Sequence, residues 1–171
     1  MKFLIAAVLF LTSAVVVVSA QETEWRKMTE TELRRTVPEK APVIRENIET
    51  EFRTASGIAR TDQEQIFGVV IITAGYEAEG KYTHFLKTGA TMRIGETALA
   101  PGEYLFGYQR INAETLRVMF YRAQDGELVG ATRAKVEKRK GAIYSFLIEP
   151  PSAAGGGKIY IGRFTFDYVL E

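Results

Sequence analysis

The chain contains no cysteine and one histidine, His84. Zinc and copper sites draw their ligands from thiolates and clustered imidazoles, so a single chain of this composition cannot assemble the usual ones. The same shortage removes disulfide staples and cysteine nucleophiles, and it leaves no second histidine from which to build a catalytic triad. There is no G-x-S-x-G element and no EF-hand spacing of acids. An excess of charge is missing too, since 22 Lys and Arg stand against 21 Asp and Glu. A balanced chain lacks the electrostatic footprint of a nucleic-acid binder. No metal, cofactor or nucleic-acid partner is expected.

Residues 1–20 carry a pattern of their own. Lys2 is their only charge, Phe3 to Val18 is apolar apart from Thr12 and Ser13, and Val18-Ser19-Ala20 is a small-residue cleavage pattern before Gln21. This reads as a signal peptide and predicts an exported protein, periplasmic or secreted, with no stable membrane insertion after cleavage. An uncleaved anchor is the alternative, because the apolar run approaches the length that spans a bilayer. Export without cysteine suits a bacterium, and stability must then come from a packed core.

Residues 21–61 form a polar, partly helical arm in this reading. Thr29 and Glu32 have capping-box spacing, which predicts a short helix start. From Pro42, the residues Ile44, Ile48, Phe52 and Ala55 recur at helical spacing, with Glu49 four residues before Arg53. A second helix is therefore expected there, closed by Gly57. An amphipathic arm of this kind either packs across a β domain or binds a partner protein.

Residues 62–171 form an antiparallel β domain in this reading. Ile66 to Ile72 is a short apolar run, consistent with a strand buried on both faces. Further strands are expected over 81–87, 92–97, 103–111, 115–122, 127–136 and 142–149, with a final pair or one bent strand over 158–170. Asn112-Ala113-Glu114 and Asp125-Gly126 supply hairpin turns, and Pro101-Gly102 fits a type II turn. The alternation slips phase at Gly162-Arg163, as a bulge would produce. Seven or eight strands at intervals of about ten residues predict a mainly β fold, an antiparallel β-sandwich first and a barrel as the alternative.

Tyr104, Phe106 and Tyr108 share one face of the strand expected over 103–111. They read as core, and otherwise as a ligand-binding platform for a sugar or peptide. Arg133, Lys135, Lys138, Arg139 and Lys140 form the one basic patch. They read as a solvated strand edge, or as a site for an anionic glycan or lipid headgroup. His84 lies in an aromatic strand and reads as a packed residue. Glu103, Glu149 and Asp167 are the acids from which a glycan hydrolase could draw its pair. Gly155-Gly156-Gly157-Lys158 lacks the spacing, hydroxyl residue and helix of a phosphate loop and reads as a linker.

From Ile94 to Tyr104 the chain resembles exported bacterial β-domain proteins carrying an I-G-x-x-x-L-x-x-G-x-Y element at the start of a hairpin. The likeness covers about residues 90–111. It implies a small exported β domain and no particular activity. The combined expectation is a non-enzymatic exported protein that binds a protein or cell-envelope component. A small-ligand or carbohydrate binder is the alternative, and a carboxylate-dependent glycan hydrolase comes third.

Overall fold

The computed structural model describes residues 24–138, 141–152 and 155–171. The expected leader lies outside them. The first half of the fold comprises β1 (Arg26–Lys27), α1 (Glu30–Thr36), β2 (Lys40–Val43), β3 (Glu46–Ala59), β4 (Gln65–Ile71), β5 (His84–Thr88) and β6 (Met92–Ile94). The second comprises β7 (Thr97–Leu99), β8 (Gly102–Asn112), β9 (Thr115–Arg122), β10 (Leu128–Val136), β11 (Tyr144–Glu149), β12 (Gly156–Gly162) and β13 (Phe164–Leu170).

The strands join in the order β1-β3-β4-β5-β8-β9-β10-β13-β12-β11, with β2 added to β3 and the β6–β7 hairpin added to β13. Every ladder is antiparallel. β11 returns against β3, where the Ile148 N–H donates to the Ser56 hydroxyl at 2.9 Å. The fold is thus mainly antiparallel β. Of the two architectures the strand rhythm allows, it takes the nearly closed barrel.

Side chains alternate between two apolar layers. Phe106, Leu116, Phe120, Ile159, Phe166 and Tyr168 fill the interior. Phe67, Val69, Phe85 and Leu105 point outward from β4, β5 and β8, and Ala41, Val43 and Ile48 cover them. This outer layer explains the apolar run of β4: Ile66 faces inward, while Phe67 and Val69 face the N-terminal cover. Burial on both faces removes the need for a polar alternate position.

The capping box forms as expected: Thr29 Oγ1 accepts from the Glu32 N–H at 3.3 Å, and the Glu32 carboxylate accepts from the Thr29 N–H at 2.7 Å. The second helix does not form. Residues 40–59 are instead the β2–β3 hairpin, with Val43 paired to Glu46 around a two-residue turn at Ile44 and Arg45. From residue 40 the expected arm is therefore part of the barrel and its outer layer, not a free partner-binding element.

The apolar spacing was misleading because β3 is bulged. Glu51 pairs with Val70 and Ser56 with Gly68, so five steps along β3 span two along β4. An odd number of extra residues reverses which face a side chain occupies. Ile48 consequently lies in the outer layer and Ile58 in the interior. The expected Glu49–Arg53 pair is absent as well: Glu49 pairs with Lys40 at 3.1 Å and Arg53 with Glu51 at 3.0 Å.

Two further turns differ from expectation. Gly95 takes φ 57° in the turn joining β6 to β7, whereas Gly102 opens β8 without a positive φ, so Pro101-Gly102 is not a type II turn. At Gly162-Arg163 the chain reverses in a tight hairpin, with Ile161 paired to Phe164 and Gly162 at φ 60°. The phase slip there marks a turn between two strands, not a bulge within one.

Ile44 turns its corner at φ 59°, a region that disfavours a β-branched side chain. Relief of that strain offsets the packing lost on truncation, so Ile44→Gly should change stability by less than about 1 kcal/mol. Ile48, fully buried, should cost about 2–5 kcal/mol as Ile48→Ala. Urea unfolding of the two variants measures both values.

Candidate functional site

One end of the barrel gathers the ends of β4, β8, β10 and β12 and the starts of β5, β9, β11 and β13. β8 reaches past β5 here, since His84 pairs with Phe106 and the strand continues to Asn112. The aromatic packing of the interior stops below this level and leaves a cavity of about 550 Å³. Ligand sites commonly fall between about 300 and 1,000 Å³. Val70, Leu116, Ile161 and Phe164 give it apolar walls, and Thr54 and Ser145 add hydroxyls. No carboxylate of the described residues lines it.

Two arginines from different elements reach the cavity at its mouth. Arg110 continues the inward alternation of Tyr104, Phe106 and Tyr108, and Arg163 comes from the β12–β13 turn. Both guanidiniums lie over the Phe164 ring, at 5.4 Å for Arg110 and 5.9 Å for Arg163. Neither pairs with a carboxylate among the described residues. Two like charges held on one ring without a counter-ion create a positive potential at a mouth whose walls are of low dielectric.

His84 also lines the cavity. It stacks on Phe106 with centroids 4.4 Å apart, and Phe146 lies 5.2 Å away. Thr83 Oγ1 lies 2.8 Å from its Nδ1 and donates to the Phe106 carbonyl at 3.2 Å. That carbonyl already accepts the Thr83 N–H at 2.9 Å, so the hydroxyl and Nδ1 can exchange donor and acceptor roles with the tautomer. In either tautomer Nε2 is buried and without a partner among the described residues. Burial disfavours the imidazolium and lowers the pKa from 6.5 to about 3.

The expected aromatic platform is split by closure of the barrel. Tyr104, Phe106 and Tyr108 do share a side, but that side is the interior. Tyr104 is 8% exposed, with its hydroxyl donating to the Ala100 carbonyl at 2.8 Å, and Phe106 is fully buried. Neither is open to a ligand from outside, while Tyr108, 40% exposed, borders the cavity. In the expected basic patch, Arg133, Lys135 and Lys138 are exposed, whereas Arg139 and Lys140 lie outside the described residues. Arg133 stands directly opposite Arg117 of β9, an outward like-charge pair. Glu103, Glu149 and Asp167 do not line the cavity; Glu103 pairs with Lys87, and Lys158 stands between Glu149 and Asp167 in the sheet.

Sequence reasoning missed Arg110 and Arg163. For Arg110 a signal existed, because one more step of two along the platform strand reaches it. For Arg163 none did, since its place depends on which strand ends meet.

The histidine makes stability depend on pH. An unfolded chain binds a proton at His84 near pH 6.5, while the folded chain resists it down to about pH 3. Stability from this group is therefore complete above pH 6.5 and falls as pH drops, by up to about 1.4 kcal/mol per unit. Carboxylates titrate mostly below this range, so urea unfolding at pH 7.5 and pH 5 isolates the effect. His84→Phe should remove most of the difference between the two. Comparisons with known proteins add no relationship: no family model, no curated protein and no solved structure matches the chain.

Proposed function

We propose that this chain is an exported, non-enzymatic barrel protein that holds a small amphipathic anion at the mouth of its cavity. The apolar part of the ligand lies against Val70, Leu116 and Ile161, and its charged group lies between Arg110 and Arg163. The observation that carries this reading is the pair of arginines without counter-ions among the described residues at the mouth of an apolar-walled cavity. Guanidinium is suited to carboxylate, sulfate and phosphate groups because its planar fork matches their oxygens. The leader-like residues 1–20 support export.

Binding is favoured over catalysis by what lines the cavity. It holds no carboxylate of the described residues, and burial lowers the pKa of its histidine far below the value that a general base needs near neutral pH. Glycan hydrolysis would need two acids flanking one bond. A carbohydrate is a weaker fit than an amphipathic anion, because Tyr108 is the only member of the expected platform open to stack on a sugar ring.

Titration calorimetry with dodecanoate and dodecanol tests the proposal. The carboxylate should bind saturably at one site per chain, with the alcohol about tenfold weaker for want of a charge-assisted pair. Arg110→Ala should weaken the carboxylate by about tenfold and leave the alcohol unchanged. Ser145→Trp, which fills the cavity, should abolish both. Absence of saturable binding, or equal affinity of Arg110→Ala for the carboxylate, would reject the reading.

A further inference from the structure

The rim of the same mouth differs from the rest of the surface. Ile72, Tyr108, Ile111, Ile143 and Tyr144 are all exposed large apolar residues at this end, Ile143 by 75%. Only Ile44, Leu128 and Val169 expose comparable apolar area elsewhere among the described residues. Around them stand Arg110, Arg117, Arg133, Lys135, Lys138 and Arg163, none in an ion pair with a described residue. Of the nearby acids, Glu137 is held by Lys158 at 2.6 Å, and Glu114 sits in the β8–β9 turn.

Apolar and cationic residues share the same depressions. One shallow groove is lined by Arg110, Ile111, Arg117 and Arg133. A second is lined by Val136, Lys138, Ile143, Tyr144 and Arg163, together with Glu137, whose charge Lys158 offsets. The cavity lies between them, sharing Arg110 with the first and Arg163 with the second. Exposed isoleucines gain by leaving water, tyrosines favour an interface with one wet end, and cations without partners gain by meeting anions.

We propose that this rim docks peripherally on an anionic lipid surface, with Ile111 and Ile143 entering the headgroup layer and the surrounding cations contacting lipid phosphates. A lipid surface matches the pattern because it presents negative charge and an apolar layer a few ångströms apart over a broad area. An acidic protein would satisfy the cations and leave the isoleucines in water. The inference shares Arg110 and Arg163 with the cavity proposal and is tested at residues outside it, since Ile111, Ile143, Arg117 and Arg133 do not line the cavity.

Co-sedimentation with vesicles tests it, using a chain that begins at Gln21 and keeps every described element. Vesicles of phosphatidylcholine containing phosphatidylglycerol should bind the protein at low salt, vesicles of phosphatidylcholine alone should not, and high salt should release it. Ile111→Glu with Ile143→Glu should lower partitioning at least about tenfold, and Arg117→Glu with Arg133→Glu should do so by a similar factor. Leu128→Glu, at the opposite end, should change nothing, and circular dichroism should show all variants folded. No binding to the anionic vesicles, undiminished binding by the double isoleucine variant, or equal loss in Leu128→Glu would overturn the proposal. Retention on dextran sulfate without vesicle binding would overturn it too, in favour of a soluble polyanion.

Discussion

The barrel depends on one strand serving two layers. β3 begins in the outer cover, where Ile48 packs over β4, and ends in the interior, where Ile58 joins the core. Only an odd insertion can move successive apolar residues from one face of a strand to the other. The bulge opposite Val70 supplies it, and Thr54 makes it tolerable. Its hydroxyl accepts the Val70 N–H at 2.9 Å and donates to the Glu51 carbonyl at 2.8 Å, replacing ladder bonds that the bulge breaks. Beyond it, Ser56 offers a side-chain oxygen to Ile148 and brings β11 against β3. Without the bulge β3 could form the cover or the seam, but not both.

The same closure decides where packing stops. Phe106, Phe120, Phe146 and Phe166 meet with centroids 5.7 to 5.9 Å apart and fill the middle of the barrel. Two tyrosine tips in this core are satisfied: the Tyr104 hydroxyl donates to the Ala100 carbonyl, and the Tyr168 hydroxyl to the Glu149 carbonyl at 2.6 Å. Toward the mouth the pattern changes. His84 keeps a ring nitrogen without a partner among the described residues, and Arg110 and Arg163 hold charge over an aromatic ring. A buried unsatisfied polar group costs about 1–3 kcal/mol. A barrel selected for stability alone would place an apolar residue at position 84.

How far the sequence could be read follows from the same physics. From β8 onward the strands lie within a residue or two of expectation, because their apolar residues alternate cleanly and glycine marks several of their turns. The N-terminal part failed on two local features. The β2–β3 turn uses Ile44 at a positive φ, with no glycine or asparagine to announce it. The bulge then set Ala55, three residues after Phe52, in the same outer layer as Ile48 and Phe52, a spacing that imitates a helix. The platform strand was read with the correct parity, but parity does not say which side is interior. That depends on closure between β3 and β11, residues far apart in the chain. Arg110 was legible from parity, whereas Arg163 required knowing that the β12–β13 turn lies beside the end of β8.

Global neutrality hid the local field. A chain with nearly equal numbers of acids and bases has no long-range pull on a polyanion, yet charge can still be distributed unevenly over its surface. The ion pairs among the described residues include several remote from the mouth, from Arg26 with Glu32 to Arg93 with Glu171. At the mouth the arrangement reverses, and Arg117 faces Arg133 across the β9–β10 ladder. Like charges directly opposite destabilise a sheet, and a single acid at either position would relieve the repulsion. The fold gains nothing from that choice. An anion at the mouth or the rim, as proposed above, would relieve this repulsion from outside the chain.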